Sequence, residues 1–294
     1  MNTKSRKKIA LCFHGIHGGE STGKNYHSTD FKKGENNSSS KVLETSYKYF
    51  YENIIKHNDV DIFFHTWDVN LKDKMVELYK PKKYLVENQK KFSIPNYVGT
   101  YLAGGGYDEN RGQAHYSRWY SFKKSNELKK QYEEENNFKY DLVMQSRLDL
   151  CWLDKIIFEN EFNPKYFYTS TPIPSDDNHQ TISKIAVGFL YQSKIIELPD
   201  RWFVSDSHKM DEFSKLYDLL NDFCNPESKI SIRQYAGISS HYMVCNYLTK
   251  HLNYDIIHKF KYRDRHLMYR DLGKFSHTDY LNEINNQMVI SNDK

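Results

Sequence analysis

Along the chain, short unbroken apolar runs alternate with segments whose apolar residues recur every three or four positions. Lys8 to His14 (KIALCFH) predicts a first strand, and Gly15 to Ser40 a long, polar, glycine-rich loop. Val42 to His57 has helical spacing through Leu43, Tyr47, Phe50, Ile54 and Ile55. Val60 to Thr66 (VDIFFHT) predicts a second strand, Leu71 to Tyr79 a short helix closed by Pro81, and Lys83 to Glu87 a third strand. Beyond the loop holding Gly104, Gly105 and Gly106, a long helix from about Gln113 to Glu135 leads into a strand that begins at Asp141. Such alternation predicts an α/β fold with a mostly parallel, Rossmann-type sheet flanked by helices. Residues 1–225 would form this domain, and 226–294 a helical C-terminal portion packed on it. No internal repeat is visible, and the low-complexity patch Glu35 to Ser40 (ENNSSS) predicts a mobile loop.

The apolar run Leu142, Val143, Met144 ends in Arg147 and Asp149, where open α/β sheets bind their ligands. A carboxylate there suits a divalent cation, Mn or Mg, and an arginine beside it suits a phosphate. A surface ion pair closing a strand accounts for the same residues without any ligand. The second strand also ends in a polar cluster, Phe64-His65-Thr66-Trp67-Asp68, in which His65 or Asp68 either meets a ligand or, for Asp68, caps a helix.

Composition sharpens the picture. With 294 residues the chain can bury a sizeable core, but only 38% are hydrophobic while 15% are aromatic, so amphipathic rings must build much of it. The net charge of +4 is the small difference between 42 basic and 38 acidic residues, so no global field argues for nucleic acid, and anion recognition must be local. Cys12, Cys151, Cys224 and Cys245 are widely spaced, which argues against a disulfide framework or zinc site and for reduced, buried thiols. No apolar run approaches the ~20 residues of a membrane span, and MNTKSRKK enters the first strand without a signal-peptide core. A cytoplasmic protein is expected.

Gly18 to Asn25 (GGESTGKN) has the GxxxxGK spacing of a phosphate-cradling loop, but Asn25 replaces the magnesium-binding hydroxyl and no helix pattern follows. The loop is either solvated or brings its amides, with His14 and Gly15 at the strand end, toward a diphosphate in another geometry. In the long helix, Ser121, Lys124 and Ser125 share a face that suits a phosphate or sugar hydroxyl, next to Arg118 and Tyr120. Lys123, Lys129 and Lys130 are expected to form a solvated face with Glu133, Glu134 and Glu135.

The succession KIALCFHG, DVDIFFHTWD, ELYKPKKYLVE and RWYSFKKSNELKKQYEEENNFKYDLVMQSRLDL resembles a family of nucleotide-sugar glycosyltransferases from bacterial and viral surface-polysaccharide gene clusters. The resemblance covers about residues 8–225 and includes LPDRWFVSDSHKMDEFSKLYDLL, which is similar to the family's aspartate-led segment after the metal strand. It implies a GT-A-like fold, a nucleotide-sugar donor and a glycan or lipid-linked acceptor. It sets Arg147 and Asp149 where the family carries its DxD variant, and Ser121 and Lys124 in the donor-side helix. This chain has Arg-Leu-Asp instead of Asp-x-Asp, so an arginine would supply part of the positive charge.

Transfer of a sugar leaves a nucleoside diphosphate whose growing negative charge needs a cation, Arg or Lys, and inversion needs a base for the acceptor hydroxyl. Asp206 and Asp200 are the candidate bases, although such residues more often serve as loop or helix-capping residues. His241, in SSHYMVCNYL, would complete a metal site with Asp149 or serve as a buried structural histidine. In His258 to Lys274, basic and aromatic residues interleave, which fits either a solvated helix packed by its rings or peripheral docking on the inner face of a membrane. A sulfotransferase or kinase built on the Gly18 to Lys24 loop, and a nonenzymatic carbohydrate-binding protein, are the competing functions.

Overall fold

A computed structural model describes residues 7–18, 20–21, 36–100, 109–170, 198, 200–231, 240–258, 264–266, 269–270 and 282. Its strands are β1 (Ile9–Gly15), β2 (Glu20–Ser21), β3 (Val60–Thr66), β4 (Lys83–Val86), β5 (Leu142–Arg147), β6 (Leu150–Trp152), β7 (Phe167–Thr169), β8 (Trp202–Ser205), β9 (Ile256–His258), β10 (Asp264–His266) and β11 (Tyr269–Arg270). The helices are α1 (Asn36–Asn53), α2 (Lys72–Tyr79), α3 (Glu109–Glu135), α4 (Phe158–Glu161), α5 (Ser207–Ser214), α6 (Leu220–Cys224) and α7 (Ser240–Asn246).

Seven strands form one mixed sheet in the order β4-β3-β1-β5-β8-β7-β9. The run β4-β3-β1-β5 is parallel, β8 is antiparallel to both β5 and β7, and β9 is parallel to β7. From β1 the chain moves outward to β3 and β4, then α3 carries it back across to β5 on the other side of β1. The strand order therefore reverses between β1 and β5, which is where open α/β sheets leave a crevice at their carboxyl ends.

Alternate side chains fill the two faces of the sheet, as a period of two requires. Ile9, Leu11, Phe13, Ile62, Phe64, Leu142 and Met144 pack with Leu43 and Phe50 of α1 and Met75 and Tyr79 of α2. Ala10, Cys12, Phe63, Val143 and Phe203 pack with Trp119 and Phe122 of α3 and Phe213 of α5. All four cysteines are buried, and none is in a disulfide.

Several elements depart from the sequence pattern. Asn36–Ser40, expected to be a mobile loop, forms the first turns of α1, and α1 ends at Asn53 before a separate turn over Ile55–His57. Lys129 and Glu133, expected on a solvated face, are fully buried. Lys129 Nζ donates to Ser207 Oγ at 2.6 Å, to Asp211 Oδ1 at 2.7 Å and to Glu133 Oε2 at 3.1 Å, so a buried charge network bolts α3 to α5. Periodicity missed this because the polar i, i+4 pair lies on the packed side of the helix, where its charges are desolvated but fully partnered.

The C-terminal portion is not wholly helical either. After α7 and a wider helical turn at Tyr247–His251, β9 joins the main sheet beside β7 and β10 pairs with β6. Within His258 to Lys274, expected as a helix, the described residues 264–266 and 269–270 are strands. Backbone pairing to strands distant in sequence overrides the local basic and aromatic interleaving.

Candidate functional site at the switch point

The carboxyl ends of β3, β1 and β5 lie level: His14 is in register with His65 on one side and Arg147 on the other, and Gly15 with Thr66. Beyond β5 the edge continues to the residues entering β8, since Arg147 N donates to Arg201 O at 3.3 Å. Gly15 has φ +100°, a conformation that strains any residue with a Cβ although the surrounding space is open. Its N–H donates to Ser121 Oγ at 2.7 Å, which ties the end of β1 to α3.

Arg147 ends β5 beside Asp149, which sits in the turn between β5 and β6. The guanidinium Nε donates to Asp149 Oδ1 at 2.7 Å while Nη2 donates to Asp149 Oδ2, a bidentate pair that fixes the guanidinium plane. This is not the exposed ion pair of the bland sequence reading, because the Asp149 side chain is only 2% exposed. A second guanidinium descends from the first half of α3: Arg118 Nη1 pairs with Asp200, whose other oxygen lies 3.4 Å from His241 Nε2. Arg118 Nε and Nη2 are buried without a hydrogen-bond partner among the described residues.

Between the two arginines sits His14, 1% exposed, with neither ring nitrogen hydrogen-bonded among the described residues. Its ring meets Phe122 of α3 edge-on at 5.1 Å. Burial, reinforced by Arg118 and Arg147, holds its pKa well below the usual histidine value, so the imidazole is neutral at pH 7. Burial also lowers the Arg118 pKa, to about 10, which leaves it charged at neutral pH. Burial opposes ionisation of Asp200, yet Arg118, His241 and Arg147 together hold its carboxyl well below the ordinary range.

The edge thus presents two fixed guanidinium groups and a neutral imidazole with unused hydrogen-bonding capacity. Buried unmet donors cost about 1–3 kcal/mol each, and an anion at this sheet edge would satisfy those of Arg118 and His14. The described residues do not converge on a divalent cation. Both oxygens of Asp149 face Arg147, His241 turns to Asp200, and no group of three or more His, Cys, Asp or Glu suited to a metal occurs among the described residues.

The other expected site residues scatter. Asp206 follows β8, which runs opposite to β5, so it lies at the far edge of the sheet. There it caps α5, accepting from Lys209 N at 2.8 Å, and pairs with Lys209 Nζ. Asp200 is at the near edge, but Arg118 and His241 engage it. Ser121 and Ser125 are buried in the packing of α3, Ser125 donating to Gln145 Oε1 at 3.0 Å, while Lys124 turns outward to Glu127 at 2.7 Å. Tyr120 stacks on Trp67 and donates from its hydroxyl to Glu87 at 3.1 Å. The helical face expected to grip a phosphate is therefore a packing face, and of its neighbours Arg118 reaches the strand ends, where it pairs with Asp200. Of the Gly18 to Asn25 loop, Gly19 and residues 22–25 lie outside the described residues.

Two residues of this edge carry more than the sequence pattern assigned them: Arg118, noted there only as a neighbour of the Ser121 face, and His17, which no motif marked. Arg118 stands three positions before Ser121, on the side of α3 that meets the strand ends. His17 follows β1 in the run HGIHGG and is fully buried. Its Nδ1 lies 2.9 Å from Asp68 Oδ2, the residue expected to cap a helix or meet a ligand. Asp68 occupies the cap position before the turn at Val69–Leu71, but its side chain makes no capping bond there. His65, also buried, is spanned by Ser121 Oγ at 2.7 Å and Glu87 Oε1 at 3.1 Å. This Ser-His-Glu chain is a brace and not a nucleophile relay, because Ser121 Oγ already accepts from Gly15 N and lies 3.2 Å from His65 O, to which it donates.

No protein-family model matches the chain, and no curated protein matches it.

Proposed function

We propose that the protein is a nucleotide-sugar glycosyltransferase with a GT-A-like domain, and that the crevice between β1 and β5 binds the donor diphosphate. The observation that carries this is the convergence of Arg118, Arg147 and His14, whose ring nitrogens have no hydrogen-bond partner among the described residues, at the strand-order reversal. A diphosphate fits two guanidinium groups with their planes held by carboxylates, and a neutral imidazole can add an N–H donor. As the bond from the anomeric carbon to the diphosphate lengthens, negative charge grows on the leaving oxygens. Fixed cations in a water-poor crevice stabilise that charge more than they stabilise the ground state.

In this proposal Asp149 orients Arg147, and no step passes through a divalent cation, for which the described side chains offer no shared donor set. The acceptor is a glycan or a lipid-linked glycan. No described helix is long and apolar enough to cross a membrane. The basic and aromatic segment His258 to Lys274 would supply any peripheral membrane contact on the cytoplasmic side.

The test is release of nucleoside diphosphate from a panel of UDP-, GDP- and CMP-linked sugars, with calorimetric titration of the same donors. Asp149→Asn keeps the shape but weakens the hold on Arg147, and turnover should fall at least about tenfold at temperatures where the variant is still folded. Failure of every donor to bind would reject the transferase assignment, and unchanged turnover in Asp149→Asn would remove that residue from it.

A further inference from the structure

We infer that His17, held by Asp68, is the base that takes the proton of the acceptor hydroxyl; this rests on the transferase proposal above. His17 stands two residues past β1, and its side chain has no solvent exposure. Its backbone N–H and its Nδ1 both reach Asp68 Oδ2, at 2.7 and 2.9 Å. Thr66 fixes Asp68 in turn, its hydroxyl donating to Oδ2 at 3.3 Å and accepting from Asp68 N at 3.1 Å.

With the Asp68 carboxylate as acceptor, Nδ1 carries a proton, and the tautomer that can act as a base is the one with its lone pair on Nε2. Nε2 is buried and has no hydrogen-bond partner among the described residues. A carboxylate on one ring nitrogen with an unengaged lone pair on the other is the arrangement of a general base, because the carboxylate stabilises the imidazolium that forms.

The other candidate bases lack this combination. Both nitrogens of His65 are engaged, by Ser121 and Glu87. His14 has no carboxylate bonded to its ring and lies under the fields of Arg118 and Arg147, which oppose uptake of a proton. Asp200 is held by Arg118 and His241, and Asp206 caps a helix at the far edge.

In the step, the acceptor oxygen forms its bond to the anomeric carbon as its proton passes to His17 Nε2. The bond from that carbon to the diphosphate oxygen breaks, and the diphosphate leaves with the electron pair against Arg118 and Arg147. One displacement of this kind inverts the anomeric centre. Asp68 acts as a positioning residue, fixing the tautomer.

The experiment uses the full chain with the UDP-, GDP- and CMP-linked sugars as donors and water or alkyl glycosides as acceptors. General bases contribute roughly 10²–10⁴-fold, so His17→Gln should lower nucleoside diphosphate release by about 100-fold or more. Affinity for the nucleoside diphosphate alone, measured by calorimetry, should stay within about twofold of wild type. Added imidazole should restore part of the turnover of His17→Ala. Asp68→Asn should lower kcat without changing the donor KM, and Asp68→Glu should recover part of the loss. Wild-type turnover in His17→Gln, or a parallel loss of nucleotide affinity without imidazole rescue, would overturn the role of His17. A wild-type protein that binds no nucleoside diphosphate would instead overturn the transferase proposal beneath it.

Discussion

Lowering the pH should unfold this protein partly through His65, and the size of the effect follows from where that residue sits. Its imidazole is fully buried between Ser121 and Glu87. Burial lowers its pKa to about 4; the Glu87 carboxylate pulls the other way but is outweighed. In the unfolded chain the same group titrates near 6.5. Between these values the unfolded state binds more protons than the folded one, so stability rises with pH across this window. The contribution is fully present above about pH 6.5 and is lost as the pH falls toward 4. From pH 7 to pH 5 the linkage amounts to about 2 kcal/mol, approaching about 3 kcal/mol below pH 4. His14 is depressed in the same direction, so the wild-type curve alone cannot isolate His65. Urea unfolding of wild type and His65→Gln at half-unit steps from pH 7.5 to 4 cancels the shared terms. The difference between the two proteins should shrink by about 2 kcal/mol from pH 7 to 5. A difference that stays flat across this range would refute a buried, neutral His65.

Three further outcomes are expected. Arg147→Lys keeps the charge but loses the bidentate fork to Asp149, and should weaken donor binding by about 1–3 kcal/mol, with an affinity that falls as salt rises. Equal calorimetric affinities in the two proteins would remove Arg147 from the site. Lys129→Met strips the buried network of its central cation and should cost about 3 kcal/mol in urea unfolding, near the low end for a broken buried pair. The low end applies because Glu133 keeps Lys139, Ser207 and the Tyr140 N–H; a loss below about 1 kcal/mol would show the network to be redundant. Asp206→Ala should cost about 1 kcal/mol through the lost cap and leave nucleoside diphosphate release unchanged, whereas a tenfold drop in release would return Asp206 to the site.

The strands and helices flanking the switch point are legible in the chain because their signals are local. KIALCFH, VDIFFHT and the run ending at Arg147 are apolar on both faces, as buried parallel strands must be, and the segments between them repeat at helical spacing. The placing of Arg147 and Asp149 at a strand's carboxyl end follows from the same run. Strand direction beyond β5 is another matter. Only the antiparallel pairing of β8 puts Asp200 beside the crevice and Asp206 at the opposite edge, although they are six positions apart in one segment. Which face of α3 is buried was equally hidden, since Lys129 and Glu133 look solvated until Ser207 and Asp211 close on them. The union of Arg118 with His14, and of His17 with Asp68, joins residues 104 and 51 positions apart. Local periodicity sets what each segment becomes; partners across such separations are set by how the sheet is wound, and that is decided only when the elements pack.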